Sequence, residues 1–189
     1  MKRIFHCLVL TLVLLTFTSC AATLQSFSKS DFPIGGKTLG ILPFYCTIPS
    51  IGIAVSDTIG ANLIDSDLRV IERSFLTKIF NDHRLSPFGL AESLDFEKIA
   101  QVSEADYLLI GNVDAERFQS VKWPKYTTRT ELVLKIWGAT ARIVDVSTGE
   151  MLVGVSYIPS PYGTEPVRIG EDIARALKKE LRPGQVAYR

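Results

Sequence analysis

The stretch Ala105–Phe118, ADYLLIGNVDAERF, decides the fold because its centre is a continuous apolar run. A strand with one face in solvent alternates apolar and polar residues, whereas a strand buried on both faces reads as uninterrupted apolar sequence. The stretch therefore predicts a central strand in a sheet that is covered on both sides.

The sequence before this strand alternates between strand and helix patterns. An apolar run at 37–46 predicts a first strand, whose end is disturbed by Pro43. From Ile51 to Leu63, apolar residues recur every four positions, as on the buried face of a helix. Residues 67–73 then predict a second strand, so the order begins as strand, helix, strand.

Two shorter helices are predicted between the second strand and the central strand. Ser74 stands at the N-cap position of the first helix, which covers residues 75–80. Residues 84–93 contain several turn formers and predict a loop. The second helix covers residues 94–105. Its predicted inward residues are Leu94, Ile99 and Val102.

A hairpin and a closing helix are predicted after the central strand. Residues 128–146 read as a long strand and residues 150–158 as its partner. Ser147–Gly149 predicts the turn between them, with its glycine placed for a positive φ. The closing helix, at 167–181, has an inward stripe formed by Ile169, Ile173, Ala176 and Leu177. The whole order predicts a single α/β domain, in which helices pack on a mixed sheet.

Four motifs in this order resemble the periplasmic domain of the CsgG-like lipoproteins, the curli secretion family and its relatives. The motifs are ILPF at 41–44, VIERSFL at 70–76, ADYLLIGNV at 105–113 and VDVSTGEML at 144–152. The residues that match the family motifs are Glu72, Arg73, Ser74, Leu76, Ala105–Leu109, Gly111 and Asp145–Glu150. The resemblance implies an anticodon-binding-type α/β sandwich, shared with TolB N-terminal domains and with LpoB-like activators of peptidoglycan synthases.

The chain departs from the curli channel, whose subunits each insert two hairpins into the membrane. Residues 114–136 could hold a shortened first hairpin, but the segment QSVKWPKYTTRT is polar and interrupted by Pro124. Membrane strands are about 9–11 residues long and carry an apolar stripe towards lipid. The eight residues 159–166 are too few for a second hairpin. The sequence therefore predicts the family's domain without its full channel.

The N-terminus has the layout of a lipoprotein signal. Two basic residues precede an apolar run at 4–17, which is shorter than the ~20 residues that a transmembrane helix needs. Thr-Ser-Cys at 18–20 matches the bacterial lipobox, whereas Phe17 departs from the aliphatic residue usual there. We expect cleavage before Cys20 and acylation of that cysteine. The alternative is an ordinary signal peptide cut nearby, with Cys20 incidental.

The predicted anchor sets the expected organisation and location of the chain. Cys20 is followed by two alanines and not by the aspartate that usually retains lipoproteins at the inner membrane. We therefore expect a cell-envelope protein, anchored in the outer membrane and facing the periplasm. The expected segments are a signal peptide at 1–19, a lipidated N-terminus and tether at 20–36, the folded domain at 37–182 and a tail at 183–189.

Charge and cysteine content limit the partners. Removal of residues 1–19 leaves 170 of the 189 residues and lowers the formal net charge from +1 to −1. This length is enough for one core, and this charge gives no electrostatic support for nucleic acid or for a polybasic membrane contact. Cys7 would leave with the signal and Cys20 would carry lipid. Cys46 then remains as a single, buried, unreactive thiol.

No motif for catalysis, cofactor binding or metal binding stands out. GGKT at 35–38 resembles the end of a phosphate-binding loop, but Asp31 replaces the first glycine and the segment precedes a strand. His83 is the single histidine after the signal and is expected at an exposed helix end. A hydrolase would need it in a cleft beside a serine and a carboxylate. We expect no enzyme activity, no cofactor, no metal and no small-molecule substrate.

The sequence favours a scaffold or accessory protein of an envelope or secretion assembly, anchored to the membrane through Cys20. The family resemblance implies protein partners and self-association into rings. Two alternatives stay open: an activator of a peptidoglycan synthase, for which the tether at 20–36 is short, and an oligomeric outer-membrane secretion channel, for which 114–136 must insert. The candidate contact residues are the aromatic side chains Phe118, Trp123 and Tyr126. These side chains form a contact surface or pack beneath their own loop.

Overall fold

The computed structural model describes residues 22–29, 32–83, 96–122, 129–160 and 165–181. Within these residues, six strands form one sheet and four helices pack on it. The strands are β1 (Thr23–Ser28), β2 (Thr38–Ile41), β3 (Arg69–Ile71), β4 (Tyr107–Lys122), β5 (Arg129–Asp145) and β6 (Met151–Ile158). The helices are α1 (Pro49–Leu63), α2 (Arg73–Asp82), α3 (Phe96–Ser103) and α4 (Pro166–Glu180). The predicted single α/β domain is confirmed.

The sheet is mixed, with the strand order β1-β6-β5-β4-β2-β3. Strand β2 runs parallel to both β3 and β4, and the other neighbouring pairs are antiparallel. The parallel pairs are joined through helices, since a parallel connection must cross back over the sheet, whereas the antiparallel β4-β5-β6 run needs only turns. Gly149 in the β5–β6 turn has the predicted positive φ, 71°.

Strand β4 is buried on both faces, as its apolar run predicts. Leu109 and Val113 belong to a core that includes residues of α1 and α4, whereas Leu108 and Ile110 belong to a second core under α2 and α3. Successive residues of a strand point to opposite faces. One apolar run therefore supplies both cores, and Cys46 lies buried as a free thiol at the edge of the first.

Helix α4 packs on α1 along its predicted stripe, which is confirmed: the four residues Ile169, Ile173, Ala176 and Leu177 are all buried. Gly170 lies at the crossing of the two helices. A Cβ atom at this position would lie 2.6 Å from Cβ of Thr58 and 3.0 Å from the carbonyl oxygen of Val55. The close approach of the helices therefore depends on glycine at this position.

The predicted N-cap at Ser74 is wrong. Helix α2 begins at Arg73, with Glu72 at its N-cap and no side-chain cap. The Ser74 hydroxyl lies in the first turn and donates to the Glu72 carboxylate at 2.6 Å. The sequence prediction started the helix at its first apolar residue, so it left out Arg73, which is not apolar. The guanidinium of Arg73 instead donates to the carboxylate of Asp57 in α1, at 2.5 and 3.1 Å.

Part of the predicted tether is also wrong. Residues 23–28 form the edge strand β1, which pairs antiparallel with β6 from Thr23 opposite Ile158 to Ser28 opposite Val153. Its side chains are largely exposed. A strand that buries so little gives no alternating apolar pattern in the sequence, and it is held mainly by backbone pairing.

Candidate interaction surface

The longest feature outside the cores is the far end of the β4–β5 hairpin. Strand β6 pairs with β5 only from Ala139 to Val144, and β2 pairs with β4 only up to Leu109. Strands β4 and β5 stay paired with each other to Lys122 opposite Arg129. Residues 115–122 and 129–137, here called the ribbon, therefore project beyond the sheet by about 27 Å at ~3.4 Å per residue.

A β-bulge at the base of the ribbon turns a tryptophan into solvent. The pairing shifts between Asp114, opposite Gly138, and Ala115, opposite Ile136, which leaves Trp137 as the extra residue. Its side chain is 48 % exposed. The ammonium of Lys135 lies 3.6 Å from the centre of the indole ring, in a cation–π contact.

The described side chains of the ribbon, at 115–119 and 133–137, include both apolar and charged groups in solvent. At the base, Ala115 and Ile136 are buried in the core. Further out, Leu134 and Phe118 are each 40 % exposed, and Arg117 lies exposed opposite Leu134. The described part of the ribbon beyond its base therefore has exposed apolar and charged side chains on both faces.

Of the three predicted contact residues, the structure describes Phe118 only. Phe118 lies exposed on the ribbon, where it faces Val133 across the strand pair. Trp123, Tyr126 and Cys20 lie outside the described residues. Sequence reasoning missed Trp137, because the β-bulge that exposes it leaves no signal in the sequence.

Strand β1 is fastened to α4 by one carboxylate. The hydroxyls of Ser26 and Ser28 donate to the two oxygens of Glu180, each at 2.7 Å. Partial burial raises the pKa of Glu180, but the two serine hydrogen bonds and the nearby Lys179 outweigh it and hold that pKa below its ordinary value. The carboxylate therefore stays ionised and keeps the edge strand in place.

The chain before β1 leaves the sheet at the same end as the ribbon. Leu24, Tyr157, Ala139 and Val113 lie in one row across β1, β6, β5 and β4. The ribbon extends outward from this row, and Thr23 is the next residue outward in β1. The start of β1 therefore lies at the same end of the sheet as the ribbon.

A groove lies between α1 and β3. It is a groove of about 500 Å³ beside Ile64, Ile71 and the Arg73–Asp57 ion pair. Arg73 is engaged in a two-pronged contact with Asp57, so it is not free to hold an anion. His83, as expected, lies exposed at the end of α2, and it does not line this groove.

Two further features of the described residues bear on function. No group of three or more His, Cys, Asp or Glu side chains is placed to hold a metal ion among them. None of the helices in this part of the chain is long and apolar enough to cross a membrane. Seven residues connect β6 to α4. The sequence predicts eight, at 159–166, and the difference arises because α4 already begins at Pro166.

Several solved structures are similar to this chain at low identity. A PelC dodecamer subunit from Paraburkholderia phytofirmans is 18% identical over 86% of this chain and 99% of its own, with a TM-score of 0.47. A lipoprotein from Neisseria meningitidis is 15% identical over 76% of this chain and 96% of its own, with a TM-score of 0.49. A putative neuraminyllactose-binding hemagglutinin homologue from Helicobacter pylori is 9% identical over 82% of this chain and 91% of its own, with a TM-score of 0.35.

All three TM-scores are below 0.5, so these likenesses carry no conclusion about what this chain does. No protein-family model matches the sequence, and no curated protein matches it. Membership of the CsgG-like family therefore stays a prediction from the sequence motifs.

Proposed function

We propose that this chain is a lipid-anchored, non-enzymatic accessory or scaffold protein of an envelope or secretion assembly, CsgG-like and facing the periplasm from the outer membrane. The observation that carries the proposal is the position of Thr-Ser-Cys at 18–20 directly before β1, which begins at Thr23. An acylated Cys20 would hold a rigid domain against the membrane, where local concentration strengthens weak contacts.

The short distance from Cys20 to β1 favours the scaffold over the synthase activator. An activator must reach through the cell wall, and its tether sets its reach. Three residue steps separate Cys20 from Thr23, which span at most about 10 Å when fully extended. The scaffold proposal needs no such reach, because its partners meet it at the membrane.

Self-association is supported by the two ends of the sheet. Strands β1 and β3 are its outer strands, and within the described residues neither has a partner strand on its outer side. Their free backbone groups are suited to pairing with another chain. The sheet order makes β1 antiparallel to β3, so copies related by rotation about an axis parallel to the strands could continue the sheet head to tail.

The anchor is tested by fractionating cells that express the Cys20→Ala variant. We expect the wild type in the membrane fraction and the variant in the soluble periplasmic fraction. Cys7→Ala is the matched control, because Cys7 lies within the signal at 1–19 and its loss leaves the lipobox intact. Membrane retention of Cys20→Ala equal to the wild type would disprove the anchor.

Self-association is tested by light scattering on protein extracted from its own membranes in mild detergent. A discrete species of many subunits supports the scaffold. A monomer would refute self-association and favour a protein that binds one enzyme partner.

A further inference from the structure

Strand β1, the first described element after Cys20, is attached to the domain with little apolar burial. Its two large apolar side chains, Leu24 and Phe27, are 37 % and 55 % exposed. The ring of Phe27 lies over Gly154, where an added Cβ atom would collide with it, so the residue beneath the ring has no side chain. Elements with few buried apolar contacts open at a lower free-energy cost than core elements. Strand β1 can therefore leave the sheet while both cores stay folded.

The polar contacts of β1 lie at the surface of the domain. Ser26 and Ser28 donate to the carboxylate of Glu180, each at 2.7 Å. Directly after the strand, Nζ of Lys29 lies 2.6 Å from a carboxylate oxygen of Glu150, and both side chains are about half exposed. Water can replace such partners when the strand leaves, so each contact stabilises the docked strand only modestly.

The chain beyond β1 is attached to the domain a second time, at residues 32–34. Phe32 and Ile34 pack against the first core, which includes residues of α1 and α4. The ring of Phe32 meets that of Tyr107 edge-on, with 6.2 Å between their centroids. The hydroxyl of Tyr107 donates to the carbonyl oxygen of Pro33 at 2.5 Å. Release of β1 therefore ends at Phe32, and the rest of the domain keeps its contacts.

We propose that β1 is a detachable strap that gives the anchored domain two tether lengths. With β1 paired to β6, Cys20 lies at most about 10 Å from Thr23, the first residue held by the sheet. With β1 released, twelve residue steps separate Cys20 from Phe32, and they span at most about 42 Å. The domain stays close to the membrane in the first state and reaches partners further from it in the second. This inference rests on the proposed function for the anchor alone.

The test measures the distance from the start of β1 to a point beside β3, the opposite outer strand of the sheet. It uses the chain from residue 20 with Cys20→Ser and Cys46→Ala, so that nitroxide labels attach only at Ala22→Cys and Asp67→Cys, two exposed positions. Double electron–electron resonance then gives the distribution of distances between the labels. We expect a narrow distance for the docked strand. The released strand should give a broad second population, in which the first label lies up to about 35 Å from Phe32.

Variants of the contact between β1 and α4 should change the ratio of the two states. Glu180→Ala should raise the released fraction by roughly tenfold, because two charge-assisted hydrogen bonds are lost. The Ser26→Ala, Ser28→Ala double variant removes the same contact from the side of the strand and should raise the released fraction by a similar factor. Glu171→Ala, an exposed acidic position on the same helix, is the matched control and should leave that fraction unchanged.

A released fraction that stays equal to the parent's in both Glu180→Ala and the double serine variant would overturn the proposal. A second population that is narrow and grows with protein concentration would also overturn it, because β1 would then pair with another copy of the chain. The assay contains no lipid and no acyl chain. Its failure is therefore distinct from a failure of the Cys20→Ala fractionation, which tests the anchor.

Discussion

At the scale of single residues, Gly170 sets the distance between α4 and α1. A methyl group in its place would lie 2.6 Å from Thr58, so we expect Gly170→Ala to lower the free energy of unfolding. Overpacking of this kind costs about 1–3 kcal/mol, which exceeds the ~0.5–1 kcal/mol that alanine adds to a helix interior. Urea unfolding followed by circular dichroism measures the difference.

Gly60 in α1 is the matched control for this substitution. Its added Cβ would meet only the flexible end of Ile41, at 3.1 Å. We expect Gly60→Ala to be neutral or slightly stabilising. Equal urea midpoints for the two alanine variants would show that the helix crossing tolerates the methyl group.

Asp106, directly before β4, connects that strand to the start of β2 through hydrogen bonds. Its carboxylate accepts hydrogen bonds from Lys37 Nζ and from the backbone N–H of Thr38, both at 2.8 Å. The Lys37 hydrogen bond lowers the pKa of Asp106, against a smaller opposing effect of partial burial. The interaction therefore stabilises the fold above the unfolded pKa of about 4 and is lost as the pH falls through the lower folded value.

Asp106→Asn should therefore flatten the acid side of the stability profile. We expect the variant to be less stable by ~1 kcal/mol or less near neutral pH, since the pair is about a third exposed. The difference in stability between the variant and the parent should disappear as the pH falls below about 4. Urea midpoints at several pH values measure it, with the exposed Asp67→Asn as control. A gap that stays constant down to low pH would contradict the ion-pair account.

At the scale of elements, β1 depends on the carboxylate of Glu180. Loss of the two serine hydrogen bonds should free the edge strand without unfolding the cores, because β1 buries little apolar surface. We expect Glu180→Ala to raise hydrogen exchange at the amides of 23–28 by roughly tenfold, which corresponds to about 1.4 kcal/mol for a charged, partly exposed contact.

Glu171→Ala, an exposed acidic position on the same helix, serves as the control for the exchange experiment. It should leave exchange in β1 unchanged. Protection of β1 that is the same in both variants and in the parent would show that backbone pairing to β6 alone holds the strand.

At the scale of the whole molecule, β4 joins the two cores into one cooperative unit. Leu109 and Leu108 are both fully buried, in the α1–α4 core and the α2–α3 core respectively. We expect Leu108→Ala and Leu109→Ala each to cost about 2–5 kcal/mol. Calorimetry should give a single transition for both, with matching calorimetric and van't Hoff enthalpies. Two separated transitions in either variant would mean that the cores unfold independently.

The elements that the sequence predicted correctly are those that bury an apolar face. The run in β4, the stripe of α4 and the four-residue spacing of α1 each follow from the period of strand or helix. Gly149 marks its turn because a positive φ favours glycine. In these cases the local conformation and the final packing require the same type of residue at the same position, so the sequence pattern alone predicts the element.

The features that only the tertiary structure decided are those whose side chains bury little. The sequence of β1 predicts a tether, whereas the hydrogen bonds from its serines to Glu180 join residues more than 150 positions apart. The polar segment at 119–130 predicts no membrane strand, and the position of the ribbon at the same end of the sheet as the start of β1 follows only from the register of four strands. The Thr-Ser-Cys motif at 18–20 is a property of the sequence, whereas the place of β1 at the edge of the sheet is set by backbone pairing, which leaves no apolar period in the sequence.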